Sequence, residues 1–276
     1  MGQPVPTPEQ KKNAKAYESI YRTYGRLYAR FTEGLVRRES KVEVFACNHI
    51  SVFNGLFPPH WSDKEAAPNL RKALAMYKKS GQAMFVLLGP SANDSALRPL
   101  LLDYGFKCTY WVPFMHLDLD QPVKRFAAPS GIRIKQIEDL GIFTKEHPHP
   151  WIGPITTEIR KSSLAFAQSL CRGKNRRAWH FIAFSGERAV GSAVVFRHRN
   201  ATAIFDVAVD KKFRRRGIGK ALMSKACAFA RKQGLTEAGL SASGPGVGLY
   251  SKVGFTDAGR YGSYFLSKGK IASLKL

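Results

Sequence analysis

Acidic residues are scarce in this chain, 20 against 44 lysines and arginines in 276 residues, which leaves a formal net charge of +24. Such a surplus disfavours polycationic partners and favours phosphate-bearing ones, whether a nucleotide cofactor, RNA or an anionic membrane surface. It is unevenly spread, with 18 basic against 11 acidic residues up to Arg125 and 26 against 9 beyond it. Cysteine is sparse too. Cys47, Cys108, Cys171 and Cys227 stand far apart, without the short spacings of a zinc site or redox pair and too few for a disulfide framework, so reduced thiols are expected. No apolar run approaches the roughly 18–20 residues of a membrane helix. The polar N-terminal stretch has no signal-peptide core, and Pro6 stands where a myristoylation signal needs Ser or Thr. A cytoplasmic protein without membrane association is expected.

What is present is enough apolar surface for a core: 44% of residues are hydrophobic and 12% aromatic, which suits one large domain or two small ones. Thr7, Pro8 and Gln10 make a helix start. Tyr17, Ile20, Tyr24, Leu27, Phe31 and Leu35 then recur every three or four residues, predicting an amphipathic helix to about Gly34. Its polar face, with Lys15, Arg22, Arg26 and Arg30, reads as the solvated side of a helix packed on a sheet; contact with membrane or RNA is the alternative. A strand is expected over Lys41 to Asn48, a helix from Ser62 to Ser80 closed by Gly81, a buried strand over Ala83 to Leu88, a short helix from Leu97 to Tyr104, and a strand after Gly105-Phe106. The small, unpatterned stretch Ala127 to Gly131 marks a boundary between domains 1–126 and 127–276.

Beyond it an alternating strand runs from Ile132 to Ile137, and a helix from about Thr156 to Cys171. Three strands follow, Trp179 to Phe184, Ala189 to Arg197 and Thr202 to Val209, joined by short polar turns as hairpins require. The loop His147-Pro148-His149-Pro150-Trp151 carries two histidines two apart but no third histidine close by, and its prolines alone explain a stiff loop, so no metal is expected.

Chemistry concentrates in Val207-Ala208-Val209-Asp210-Lys211-Lys212-Phe213-Arg214-Arg215-Arg216-Gly217-Ile218-Gly219-Lys220. It reads as a strand, a basic turn and a helix whose apolar stripe is Ile218, Leu222, Ala226 and Phe229 and whose stop is Gly234. Such a turn delivers backbone N–H groups, unobstructed at Gly217 and Gly219, to the positive end of a helix, a cradle for pyrophosphate. A Walker loop is excluded because only Ile218 separates the glycines and Ala221 follows Lys220; the dinucleotide fingerprint lacks a third glycine at Leu222. The pattern Q/R-x-x-G-x-G/A fits, through Arg214, Gly217 and Gly219. A second pattern, Leu249-Tyr250-Ser251-Lys252-Val253-Gly254-Phe255, follows one further strand, Ala238 to Ser241.

Together the two patterns resemble the acetyl-CoA loop and the L-Y-x-x-x-G-F mark of the GCN5-related N-acetyltransferases (GNAT), over about residues 131–266. The first half resembles a worn copy: its strand, Gly89-Pro90 loop, helix and Gly105-Phe106 parallel Leu240, Gly244-Pro245, Leu249-Tyr250 and Gly254-Phe255. Where its glycine turn should be stand Phe53 to His60, with bulky residues and prolines. The resemblance implies an α/β fold with a mixed, mostly antiparallel twisted sheet and flanking helices, a complete C-terminal copy and a degenerate N-terminal one.

It also implies acetyl-CoA as cofactor and a bulge that splays the strand ending in Val207, Ala208 and Val209, with the Val209 N–H polarising the thioester carbonyl. Residues Arg214 to Lys220, namely Arg214, Arg215, Arg216, Gly217, Ile218, Gly219 and Lys220, would hold the pyrophosphate; for Arg215 and Arg216 a merely solvated charge run is the alternative. Tyr250 stands at the position of the acid that protonates the departing thiolate. Ser243 replaces an asparagine that contacts cofactor in many relatives. A protonated amine cannot attack, so a base is needed. Asp206 is the nearest carboxylate, although adjacent strand residues face opposite ways; His180 and Glu158 are further candidates. The resulting expectation is an acetyl-CoA-dependent N-acetyltransferase acting on a primary amine of an acidic, small-molecule or amino-acid acceptor. Two other readings stay open, a nucleic-acid or ribosome-associated protein drawing on the clusters Arg172 to Arg177 and Lys211 to Arg216, and a non-catalytic CoA-binding regulator.

Overall fold

A computed structural model describes residues 5–47, 55–57, 61–143 and 157–276, with no side-chain description for 157–160. The histidine loop His147 to Trp151 and most of Phe53 to His60 lie outside the described residues. In chain order the elements are α1 (Pro8–Phe31), β1 (Leu35–Glu39), β2 (Val42–Ala46), β3 (Gly55–Leu56), α2 (Asp63–Ser80), β4 (Met84–Leu88), α3 (Asp94–Asp103), β5 (Lys107–Asp118), β6 (Ile132–Ile137), α4 (Thr157–Cys171), β7 (Ala178–Ser185), β8 (Arg188–His198), β9 (Ala201–Val209), α5 (Ile218–Lys232), β10 (Glu237–Ser241), α6 (Gly244–Val253), β11 (Thr256–Leu266) and α7 (Lys268–Ser273). Strand pairing is mixed and mostly antiparallel.

The chain forms two compact units, one of Met1–Phe114 with Ala258–Leu276 and one of Met115–Asp257. In the first, α1 begins as its sequence dictates: Thr7 Oγ1 accepts from the Gln10 N–H at 3.1 Å and the Gln10 side-chain oxygen accepts from the Thr7 N–H at 2.9 Å. The helix stops earlier than its apolar period suggests. Phe31 is 40% exposed, and Leu35, read as its last inward residue, opens β1 instead. Glu33 and Ser40, both left-handed, reverse the chain so that β1 pairs antiparallel with β2, Leu35 opposite Ala46 and Glu39 opposite Val42. Ser62 and Glu65 cap α2, and Gly81, left-handed at φ 65°, ends it. Pro68 lies inside that helix.

The first unit's strand order is β1-β2-β3-β4-β11-β5. Strands β3 and β4 run parallel around α2, and β11 runs antiparallel to β4 with Gly262 opposite Leu88 and Leu266 opposite Met84. Val44, Leu56, Leu70, Leu74, Val86 and Tyr264 are buried among one another in its core.

The second unit has the order β5-β10-β9-β8-β7-β6. Short turns at Gly186 and Arg199, both left-handed, join the β7-β8-β9 meander, and α5 connects β9 to the parallel strand β10. Leu222, Ala226 and Ala230 of α5 are fully buried against Phe181, Ala193 and Val195 of the sheet, the face its apolar stripe marks. Phe126, just before the largely exposed stretch Ala127 to Gly131, is tied to this unit: its N–H donates to Ser224 Oγ at 3.1 Å.

Candidate functional site

Strand β9 begins as an ordinary neighbour of β10, with Ala201, Thr202 and Ala203 opposite Glu237, Ala238 and Gly239. Past Ala203 no further pairs form, although β10 continues to Ser241 and β9 to Val209. The reason lies on the other edge. Between β8 and β9 the register slips, Ser192 facing Ala208 but Val194 facing Phe205, so Asp206 and Val207 both stand opposite Ala193. Asp206 adopts φ 54°, the left-handed conformation of a bulge residue, and Ser192 Oγ donates to its carbonyl at 2.7 Å. An added residue of this kind bends and twists a strand, here away from β10. The Asp210 N–H donates to the Val190 carbonyl at 2.9 Å; because backbone groups alternate along a strand, the Val209 amide faces the opposite, splayed edge.

The turn after β9 is held by its own residues. The Asp210 carboxylate accepts from the Lys212 N–H at 3.0 Å and pairs with Arg188 at 2.6 Å; these contacts hold that carboxyl below the usual range. Arg214 Nε donates back to the Val209 carbonyl at 2.9 Å, so this arginine clamps the turn onto the strand. Arg215 and Gly217 are both left-handed, at φ 64° and 90°. Among the described residues, the backbone N–H groups of residues 215–220 have no acceptor. Six such donors at the start of a 15-residue helix could hold an anion, an arrangement the helix dipole favours.

The two glycines differ in role. Gly217 is required by its positive φ, with only Pro129 near a would-be Cβ, at 3.7 Å. Gly219 is required by packing, because a Cβ there would lie 2.6 Å from Leu249 Cδ1; its absence lets α5 close onto α6. Ile218 is buried in the core and offers the turn its amide alone. Arg215 and Arg216 are exposed. The Arg216 guanidinium lies 5.3 Å from the centre of the Phe213 ring, and Lys220 Nζ lies 5.0 Å from that of Phe126. Neither aromatic contact, nor the roles of Ser192 and Arg188, is foreseen in the sequence; Ser192, the single polar side chain in the apolar run Val190 to Phe196, is the one signal that could have shown them.

Tyr250 lies on α6, 8% exposed, its ring edge-on to Phe255 at 6.1 Å between centroids. A Cβ at Gly246 would come within 2.8 Å of the ring, so that glycine makes room for it. Burial pushes the Tyr250 hydroxyl up to about 12, and among the described residues it has no hydrogen-bond partner. Ser243 is the exposed N-terminal cap residue of α6, and its hydroxyl makes no cap bond. The Asp206 carboxyl is partly buried with no ion pair among the described residues, and desolvation pushes it up to about 7. His180 is buried on β7 opposite Val194; the Glu158 side chain lies outside the described residues. Among the described residues no three His, Cys, Asp or Glu side chains gather as a metal site, and no helix is long and apolar enough to cross a membrane.

In the second unit, then, a strand is splayed at a bulge from its parallel neighbour beside a row of free amides at a helix start. The acetyltransferase (GNAT) family profile matches residues 142–255. Solved structures agree in fold. A GCN5-related N-acetyltransferase from Kribbella flavida superposes with a TM-score of 0.61 at 12% identity, covering 89% of this chain and 95% of that one. Another from Sphaerobacter thermophilus gives 0.56 at 19% identity over 73% and 67% of the two chains. A tandem GNAT protein from the clavulanic acid biosynthesis pathway gives 0.54 at 17% identity over 74% and 70%. No curated protein matches the chain. Residues 142–255 carry a GNAT-family acetyltransferase domain.

Proposed function

We propose that the protein transfers an acetyl group from acetyl-CoA to a primary amine by direct attack. The carrying observation is the open amide row of residues 215–220 at the same end of the second unit as the unpaired stretch of β9. The site suits the cofactor: six free donors and a left-handed glycine accept a diphosphate, and a side chain on Gly217 would crowd it. When bound, acetyl-CoA supplies an activated acetyl thioester. Val207, Ala208 and Val209 would line its pantetheine arm with backbone groups, and the outward-facing Val209 amide would donate to the thioester oxygen. Arg215 and Arg216 add positive charge, Arg214 fixes the turn, and Lys220 stands at its far side. Ser243, at the N-terminal cap position of the helix that carries Tyr250, would offer the cofactor a hydroxyl that no cap bond engages.

Asp206, with its proton affinity raised towards neutrality, takes the proton of the incoming amine, directly or through water. Tyr250, whose burial keeps its hydroxyl protonated, would give a proton to the departing sulfur. The acceptor is an acidic molecule, small compound or amino acid rather than a polyamine, since the half of the chain beyond Arg125 repels polycations. We also propose that residues 1–126 are a worn copy of the same unit and that residues 127–276 carry catalysis. In support, β3-α2-β4-α3-β5 repeats the order of β9-α5-β10-α6-β11, including a parallel pair around a helix. Calorimetry tests the central reading. Acetyl-CoA should bind the parent and fail to bind Gly217→Glu, and a thiol-release assay over a panel of amines should give turnover. Undetectable binding to the parent at about millimolar cofactor overturns the proposal.

A further inference from the structure

The second unit carries a basic surface at the end of β9 remote from the amide row. Three turns meet there. The α4–β7 turn contributes Arg172, Lys174, Arg176 and Arg177, the β8–β9 turn Arg197 and Arg199, and the end of α5 Arg231 and Lys232. Backbone bonds tie them together: the Arg197 N–H donates to the Arg177 carbonyl at 2.7 Å, and the Thr236 N–H to the Asn200 carbonyl at 2.8 Å. Glu138 and Asp139 pair with Arg176 and Arg172. Lys174, Arg177, Arg197, Arg199, Arg231 and Lys232 have no carboxylate partner among the described residues. Asp118, Asp120 and Glu237 are the acids on the adjoining segments, and Arg231 reaches only the Asp120 backbone carbonyl, at 3.5 Å.

We propose that this surface binds the phosphate backbone of a nucleic acid, at a site separate from the cofactor cradle. The eight steps from Ala201 to Val209 along β9, at about 3.3 Å each, put it roughly 26 Å from that cradle, too far for one diphosphate to explain both. Its arginines suit phosphate oxygens, which they bind in forked geometry. No exposed aromatic stands on the three turns, so base stacking is not part of the recognition. Nor does an exposed apolar side chain, which a membrane surface would take up: the outward residues are Gly173, Lys174, Asn175, Arg199, Asn200, Lys232, Gln233 and Gly234, and Leu235 is buried. The sequence shows Arg172 to Arg177 as one run; only the fold adds Arg197, Arg199, Arg231 and Lys232 to it.

The test is fluorescence anisotropy of the full chain with a labelled RNA duplex of about 20 base pairs across a salt series. Binding should weaken steeply with salt, with a log–log slope of about −4 if four to five phosphates are neutralised. Arg199→Gly with Lys174→Gln should weaken it about tenfold and flatten the slope by about two. Glycine suits the left-handed Arg199 position, at φ 57°, so the fold survives; Arg197→Gln with Lys232→Gln is an independent second pair. In both pairs acetyl-CoA binding by calorimetry should be unchanged, and saturating CoA should not displace the RNA. The proposal is overturned if the duplex does not bind at about 50 mM salt, if both pairs bind like the parent, if CoA displaces RNA, or if phosphatidylserine vesicles or polyglutamate bind this surface while RNA does not.

Discussion

Asp206 combines two costly conditions, a left-handed backbone and a carboxyl drawn partly out of water. Its folded-state pKa of about 7 lies above the unfolded value near 3.9, so the folded chain holds the proton more tightly. Its contribution to stability is therefore complete below about pH 4 and is lost as pH rises to about 7. Asparagine tolerates the same φ and carries no charge. The Asp206→Asn variant should thus melt higher than the parent at pH 8 and alike at pH 4, while its turnover falls about 10²–10³-fold; equal turnover at pH 8 would remove Asp206 from the mechanism. In the parent, the rate should climb with pH through about 7 and then level off. Tyr250→Phe keeps the ring against Phe255 and loses only the hydroxyl. We expect single-turnover acetyl transfer to slow about 10²-fold with acetyl-CoA affinity intact, whereas a pure cofactor sensor has no rate to lose. Gly217→Ala forces a Cβ onto φ 90°, at a cost of about 1–2 kcal/mol in urea unfolding, with weaker cofactor binding as the accompanying sign.

At the scale of elements, what makes the site is the failure of β9 and β10 to stay together. The bulge opposite Ala193 spends one extra residue on β9, and everything beyond it is re-aimed. Helix α5 then starts where two left-handed residues leave its first amides bare. Much of this was readable in advance: β6, β9 and α5 lie within a residue or so of their expected bounds because period-2 and period-3.6 apolar patterns differ sharply there, and Gly217 and Gly219 stand out in a basic turn. The bulge itself was implied by resemblance alone, since nothing in Phe205-Asp206-Val207 says that a register will slip. The hairpin partner β1 was missed for a related reason. Leu35 continues the helical period of α1, and only the turn at Glu33 and the pairing with Ala46 override that local preference.

For the whole molecule, the last long strand does not stay with the unit that precedes it. Ala258–Leu266 of β11 belongs to the first compact unit, beside β4, and Met115–Asp118 of β5 belongs to the second. A fragment of residues 127–276 lacks Met115–Asp118 and keeps Ala258–Leu266 without its partner Met84–Leu88. It should therefore be expressed as unfolded or aggregated protein, because an unpaired central strand exposes both its ladder and its apolar face. A cooperative melt of that fragment at the parent temperature would show the strand dispensable. What the amino-acid sequence determined alone was local: the start of α1, the ends of α2 and α5, the glycines of the turn, the aromatic of Leu249-Tyr250 and the sign of the charge, all set by interactions within a few residues. Which strands pair, where β9 breaks from β10, how Asp206 comes to hold its proton, and that distant arginines share one surface were decided only in the tertiary structure. Register, burial and charge proximity depend on residues tens of positions apart, and no local pattern encodes them.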